Sequence, residues 1–192
     1  MSFLGLPQWA WIAAGVALLM ALFYVAFVWL RKRQARKAID NVISSVAHEE
    51  LHNVLLTSGG QQLHINYLLL TERGLLVIDY FDVPGVIFAG EKMEQWSVFG
   101  DKRRFTFTNP LPMLYDRVAA VRQLAGKVPV EGRIVFSMRG EFPKGQPQTV
   151  LRLDALQDEF PVVEKSPGSA AAAFAPVWEQ IKAATRPNPL AR

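Results

Sequence analysis

The chain has 192 residues, 51% of them hydrophobic and 20% charged, so it can bury a sizeable core and wholesale disorder is excluded. It has no cysteine, which excludes disulfides and thiolate metal sites and fits a reducing compartment. The formal charge of +4 comes from one short run, since setting aside Arg31, Lys32, Arg33, Arg36 and Lys37 leaves −1. The remainder therefore lacks the basic balance usual in a protein that grips a nucleic-acid backbone.

Residues 1–8 carry no charged side chain, and Pro7 stands just before a long apolar run. Trp9 to Leu30 holds 22 residues without a charge. As a helix that is about 33 Å, the thickness of a bilayer's hydrocarbon core. Trp9 and Trp11 at one end and Trp29 at the other suit the two interfaces. A cleaved signal peptide would put its cations first and run shorter. A soluble core helix rarely runs so far without a polar stripe. The expected organisation is a short extracytoplasmic N-terminus (1–8), a transmembrane helix (9–30) and a basic juxtamembrane helix (31–43). The cations follow the span, so the positive-inside rule places the rest in the cytoplasm of a single-pass inner-membrane protein. The partner this implies is the lipid bilayer. The five cations also face anionic headgroups, although setting topology alone is sufficient reason for them.

Ala38 to Leu56 reads as a helix, with Ile39, Val42, Ile43, Val46 and Leu51 at helical spacing and Ser58-Gly59-Gly60 as its end. Leu63 to Thr71 and Leu75 to Tyr80 flank a Glu72-Arg73-Gly74 turn and predict a hairpin. Val86 to Ala89, Gln95 to Phe99 and Arg104 to Thr108 follow as strands. Pro112 to Leu124 has helical periodicity, with Leu114, Val118, Val121 and Leu124 on one side and Gly126 beyond. Val128 to Ser137 is a further strand, Glu141 to Gln148 a loop, and Val150 to Leu153 a last short strand. After Ser166-Pro167-Gly168, Ser169 to Thr185 predicts a closing helix with Val177, Trp178 and Ile181 on its apolar side. This order is α/β, a mixed sheet flanked by helices. It divides the soluble part into a domain over 44–165 and a C-terminal helix and tail over 166–192.

From Leu63 to Ser137 the chain resembles the NERD, or nuclease-related, domain, whose core is restriction-endonuclease-like. The resemblance is carried by Gly74-Leu75-Leu76-Val77-Ile78-Asp79, Gly85-Val86-Ile87, Trp96, Asn109-Pro110-Leu111 and Val135-Phe136-Ser137. It implies a metal-dependent phosphodiesterase site in which an acid on one hairpin strand and an acid-x-lysine triplet on the next hold a divalent ion. Here the first acid falls on Asn66, the triplet on Asp79-Tyr80-Phe81, and a glutamine of the following helix on Met113. One carboxylate is kept, one is a neutral amide, and the lysine is an aromatic that donates no hydrogen bond. The expectation is a catalytically inactive domain that needs no cofactor and works as a binding or scaffolding module for a protein partner. Magnesium belongs only to a residual nuclease. Asp82, Glu91 and Glu94 are the acids from which a migrated site could be built, and read otherwise as solvated turn residues.

A second chemistry competes. His48-Glu49-Glu50-Leu51-His52 is an H-E-x-x-H string, and on a helix His48 and His52 share a face that can hold zinc, with Glu49 as general base of a membrane-anchored metalloprotease. Glu72, Glu91 or Glu94 would have to supply the third ligand. The charged Glu50 and the strand-rich sequence downstream speak against it. Lys102-Arg103-Arg104 beside Phe105 and Phe107 could touch nucleic acid, but reads more simply as a solvated hairpin tip. Trp96 reads as core. No serine triad or phosphate-cradling glycine loop is present.

Overall fold

The computed structural model describes residues 8–100, 103–163 and 170–189. The chain divides into two units, Met1–Asn41 and Val42–Arg192. The first is built on helix α1 (Gln8–Ser45), whose last turn belongs to the second unit. α1 is long and apolar enough to cross a membrane, and none of its apolar stretch is buried. An apolar surface of this kind, without a polar stripe, is unsuited to water. The side chains of Trp9 and Trp11, expected at an interface, lie outside the described residues, as do Lys102 and the Ser166-Pro167-Gly168 break.

The second unit holds two sheets. The larger has the order β10-β1-β2-β3-β7-β9, made from β1 (Glu49–Ser58), β2 (Gln61–Thr71), β3 (Gly74–Phe81), β7 (Val130–Phe136), β9 (Val150–Arg152) and β10 (Thr185–Pro187). β10, β1, β2 and β3 are antiparallel neighbours, whereas β3, β7 and β9 run parallel. The smaller has the order β6-β5-β4-β8, from β4 (Gly85–Phe88), β5 (Gln95–Phe99), β6 (Arg104–Thr108) and β8 (Gly140–Glu141). Helix α2 (Leu111–Ala125) bridges β6 to β7, a short α3 (Leu156–Glu159) follows β9, and α4 (Ala175–Ala184) precedes β10. This is the mixed α/β architecture that the element order predicts.

One expected element is different. The helix foreseen over Ala38–Leu56 stops at Ser45, and the backbone N–H of His48 donates to the carbonyl of Leu70, opening the β1–β2 ladder. Ser58-Gly59-Gly60 is therefore a hairpin turn. Both glycines have positive φ (57° and 80°), the backbone that matches a two-residue turn to the twist of its strands. The helical spacing belongs to the tail of α1, and Leu51 lies on a strand in which Val54 and Leu56 turn into the core.

β3 is central because its sequence is apolar on both faces, and from Gly74 to Asp79 it is buried throughout. Leu75 and Val77 join the main core with Leu68, Leu70, Ile134, Phe136 and the Leu114, Val118 and Val121 face of α2. Leu76 and Ile78 point the other way, beside Leu69 and Val135, and are equally buried. On that face Arg133 lies over Phe160 and pairs with Glu131 and Glu159. The two sheets meet on aromatics: Phe136 packs against Phe81, Trp96 and Phe142, and Phe107 against Trp96 and Phe81. Trp96 is fully buried, and its indole N–H donates to the carbonyl of Gly90.

α2 is placed by two features. Asn109 is buried, its amide donates to the carbonyls of Glu91 and Met93, and its oxygen accepts the N–H of Leu111, so one side chain both ties down a loop and starts the helix. Gly132 on β7 leaves the space into which α2 settles, because a Cβ there would stand 2.5 Å from Cγ2 of Val118. Val118 is β-branched and stiff within a helix, so it has no easy way aside. We therefore expect Gly132→Ala to lower stability by about 1–3 kcal/mol in urea unfolding, with the loss partly recovered by Val118→Ala in the same chain.

Candidate functional site

The β2–β3 hairpin is closed by Thr71, whose hydroxyl donates to the carbonyl of Gly74 and accepts the N–H of Arg73. That turn sets the register in which Tyr67 stands opposite Ile78. Carried on by one residue, the same register brings Asn66 to Asp79, so the two positions expected to hold acids are neighbours across the hairpin. Asn66 is committed elsewhere, since its amide oxygen accepts the backbone N–H of Tyr80 at 3.3 Å.

Asp79 is 3% exposed. Its Oδ2 accepts a hydrogen bond from Nη1 of Arg117 at 2.5 Å, and Nε of the same guanidinium donates to the carbonyl of His64. Arg117 thus reaches from α2 across both strands of the hairpin. Burial pushes the Asp79 carboxyl above its ordinary value, while the charge and hydrogen bond of Arg117 pull it back. Burial, aided by the repulsion of Arg117, also holds the His64 imidazole below its usual value.

Phe81 lies two residues beyond Asp79 on β3. Its ring stacks on Phe136 at 5.5 Å and Phe107 at 6.3 Å, so the position where the family keeps a lysine is part of the inter-sheet core. Met113 lies one helical turn, about 6 Å, before Arg117. α2 returns the chain between parallel strands and so runs antiparallel to β3, which brings Met113 toward the Phe81 end. Its side chain is 57% exposed. Asn66, Asp79 and Phe81 thus lie together toward the C-terminal end of β3, while Met113 stands exposed on the first turn of α2.

The other acids do not join them. Asp82 pairs bidentately with Arg139. Burial pushes its carboxyl up, but the hydrogen bonds from Arg139 and Ser137 and the guanidinium charge together hold it below its ordinary value. Glu91 and Glu94 are exposed, as expected of turn residues. Among the described residues, no three His, Asp or Glu side chains cluster closely enough to hold a metal ion. A buried carboxylate already facing a guanidinium, an engaged amide and a phenyl ring form a donor set that does not suit a divalent cation.

The H-E-x-x-H reading is corrected by the fold. His48 precedes β1, and Glu49 to His52 form its start. Residues four apart on a strand are about 13 Å apart, against roughly 6 Å on a helix, so His48 and His52 lose the geometry that made them joint ligands. His48 Nε2 meets Glu72 Oε1 at 2.5 Å. His52 packs edge-on against Tyr67. Glu49, cast as a base, accepts the indole N–H of Trp178 at 2.8 Å and Nζ of Lys182 at 3.0 Å, bonds that hold its carboxyl below the usual range and tie α4 to β1.

Arg117 is the residue that sequence reasoning missed. A signal was present: it lies three residues after Leu114 and one before Val118, on the apolar side of α2, where an arginine needs a partner.

Architecture and site together define a nuclease-related α/β domain in which the buried carboxylate of Asp79 faces an arginine of the chain. The sequence pattern of the NERD (nuclease-related domain) family matches residues 31–137, and the chain belongs to that family. An uncharacterized protein of Bacillus anthracis is 24% identical over 96 residues, a segment covering 48% of this chain and 45% of that protein. The chain thus matches less than half of that relative's length. No solved structure matches the chain.

Removing one member of the buried pair leaves the other charged and alone. Arg117→Met is expected to cost about 3–5 kcal/mol near neutral pH. Without Arg117 the folded-state pKa of Asp79 rises further above its unfolded value. The protonated form is then favoured in the fold, so the deficit shrinks as pH falls toward and below the ordinary carboxylate range. Asp79→Asn combined with Arg117→Met should recover part of the loss. Chemical denaturation of Arg117→Met, Asp79→Asn and the double variant at pH 7 and pH 4 measures these effects; additive single losses, with no pH dependence, would contradict the pairing.

Proposed function

We propose that this chain is a single-pass protein of the bacterial inner membrane, with its N-terminus outside, whose cytoplasmic NERD domain is inactive as a nuclease and serves as a binding or scaffolding module. The Arg117–Asp79 ion pair carries the reading. A nuclease of this kind needs clustered negative oxygens to seat a cation that polarises the phosphate and activates water. The one carboxylate kept at the expected positions is already balanced by a charge belonging to the chain. Asn66 offers no charge, and Phe81 has no proton to give or hold. The meander β1–β2–β3 followed by parallel β7 supports the restriction-endonuclease-like reading of the core.

The anchor is supported by α1 and by the five cations that follow its apolar stretch. Residues 9–30 would contact lipid, and Arg31, Lys32, Arg33, Arg36 and Lys37 would lie near anionic headgroups. With −1 left outside that run, the domain is better matched to a protein partner than to nucleic acid.

Three measurements test this. The purified chain should not cleave single- or double-stranded DNA or RNA above background with magnesium or manganese. Metal-dependent cleavage abolished by Asp79→Ala would refute the inactivity. In cells the chain should stay with membranes through washing at high pH, and a reporter fused after Arg192 should be active only when its activity requires the cytoplasm. Release into the wash would refute the anchor.

A further inference from the structure

β6 ends the smaller sheet, and among the described residues it is the longest strand lying at a sheet edge. The other edges are short: β8 has two residues, β9 three, and β10 three including Pro187. Natural edge strands are usually blunted by proline, bulges, charged side chains or brevity, and of these β6 carries a charge only at its start, Arg104. β6 (Arg-Phe-Thr-Phe-Thr) has five residues, no proline and continuous pairing to β5.

The direction of its free backbone groups follows from the ends of that ladder. The N–H of Gly100 donates to the carbonyl of Arg103, and the N–H of Asn109 to the carbonyl of Glu94. Hydrogen-bonded pairs alternate along an antiparallel ladder. Arg103, Phe105, Phe107 and Asn109 therefore turn their backbone groups to β5, and Arg104, Thr106 and Thr108 turn theirs outward. On the core side of the sheet, Phe107 packs against Trp96. Phe105, opposite the buried Val98, remains 44% exposed.

We propose that β6 is a self-association edge, pairing antiparallel with β6 of a second copy about a two-fold axis at Thr106. The sequence is complementary to itself in that register. Thr106 faces its own equivalent, and Arg104 faces Thr108 of the other copy. All three outward residues on each strand then exchange both of their backbone hydrogen bonds. Phe105 faces Phe107 of the other copy in the close, non-hydrogen-bonded positions, where aromatic cross-strand pairs add stability. No like charges stand directly opposite. A two-fold axis makes the interface isologous and closed, so pairing stops at the dimer and does not propagate. A single strand pair falls below the roughly 1,000 Å² of a stable interface, so the isolated contact is weak. Holding two copies in one bilayer raises their effective concentration, a step that rests on the anchor proposed above.

The chain has no cysteine, so an introduced one is its sole thiol. In the full chain, in isolated membranes under mild oxidation, Thr106→Cys should form a disulfide dimer about tenfold faster than Gln62→Cys on the β1–β2 hairpin, because opposed Cα atoms in such a pair lie within disulfide range. Arg104→Cys and Thr108→Cys should each cross-link poorly alone and well when co-expressed. Thr106→Pro, which removes an outward N–H and spares the ladder to β5, should abolish that mixed cross-link while thermal unfolding stays close to that of the parent. Cross-linking of Thr106→Cys no faster than the control, or capture of a different protein in place of a second copy, would overturn the proposal. Release of the chain at high pH would sink only the anchor, and the same cross-links would then be read at high protein concentration.

Discussion

An arginine on one helix and an aspartate on one strand, both nearly removed from water, constrain this domain more than any other polar contact. Neither charge is tolerable there alone. The pair therefore ties α2 to β3 beside its apolar face, and the bond from Arg117 to the carbonyl of His64 adds a second strand to the grip. The same contact neutralises the carboxylate on which metal chemistry would depend. If the domain is inactive as proposed, structural need and absent chemistry have one cause, because a cation supplied by the chain stands where the carboxylate would otherwise hold a bound one.

Phe81 shows a parallel exchange. A lysine in its place would need a wet, polar surround at the junction of the two sheets. A phenyl ring instead joins Phe107, Phe136 and Trp96 in one aromatic layer. Such a layer gains dispersion and apolar burial together, and it makes the inter-sheet seam part of the core. A lysine at this position would have to open that seam, so the substitution would disturb the packing between the two sheets.

Much of this was legible in the residues. The Glu72-Arg73-Gly74 turn, the doubly apolar Leu75–Ile78 run and the Leu114, Val118, Val121 spacing each state a local preference that the tertiary structure keeps. The β1 strand was hidden because α1 leads into it through Val46-Ala47-His48, whose buried Val46 continues the helical spacing of Ile39, Val42 and Ile43. That error also created the zinc reading, as both histidines change meaning with the period of the backbone. β8, α3 and β10 were hidden because elements of two to four residues carry no period to detect. Arg117 escaped because its meaning is a distance to a residue 38 positions earlier, which no local pattern encodes.

The pairing of β10 with β1 joins Thr185–Pro187 to Val54–Leu56, residues about 130 apart in the chain. During synthesis the rim of the larger sheet must therefore stay open until the downstream partner has emerged, on the order of ten seconds at ordinary elongation rates. A helix such as α1 leaves the ribosome well before then. The domain consequently completes its larger sheet only after the whole of the preceding helix has been clear of the ribosome for most of that interval.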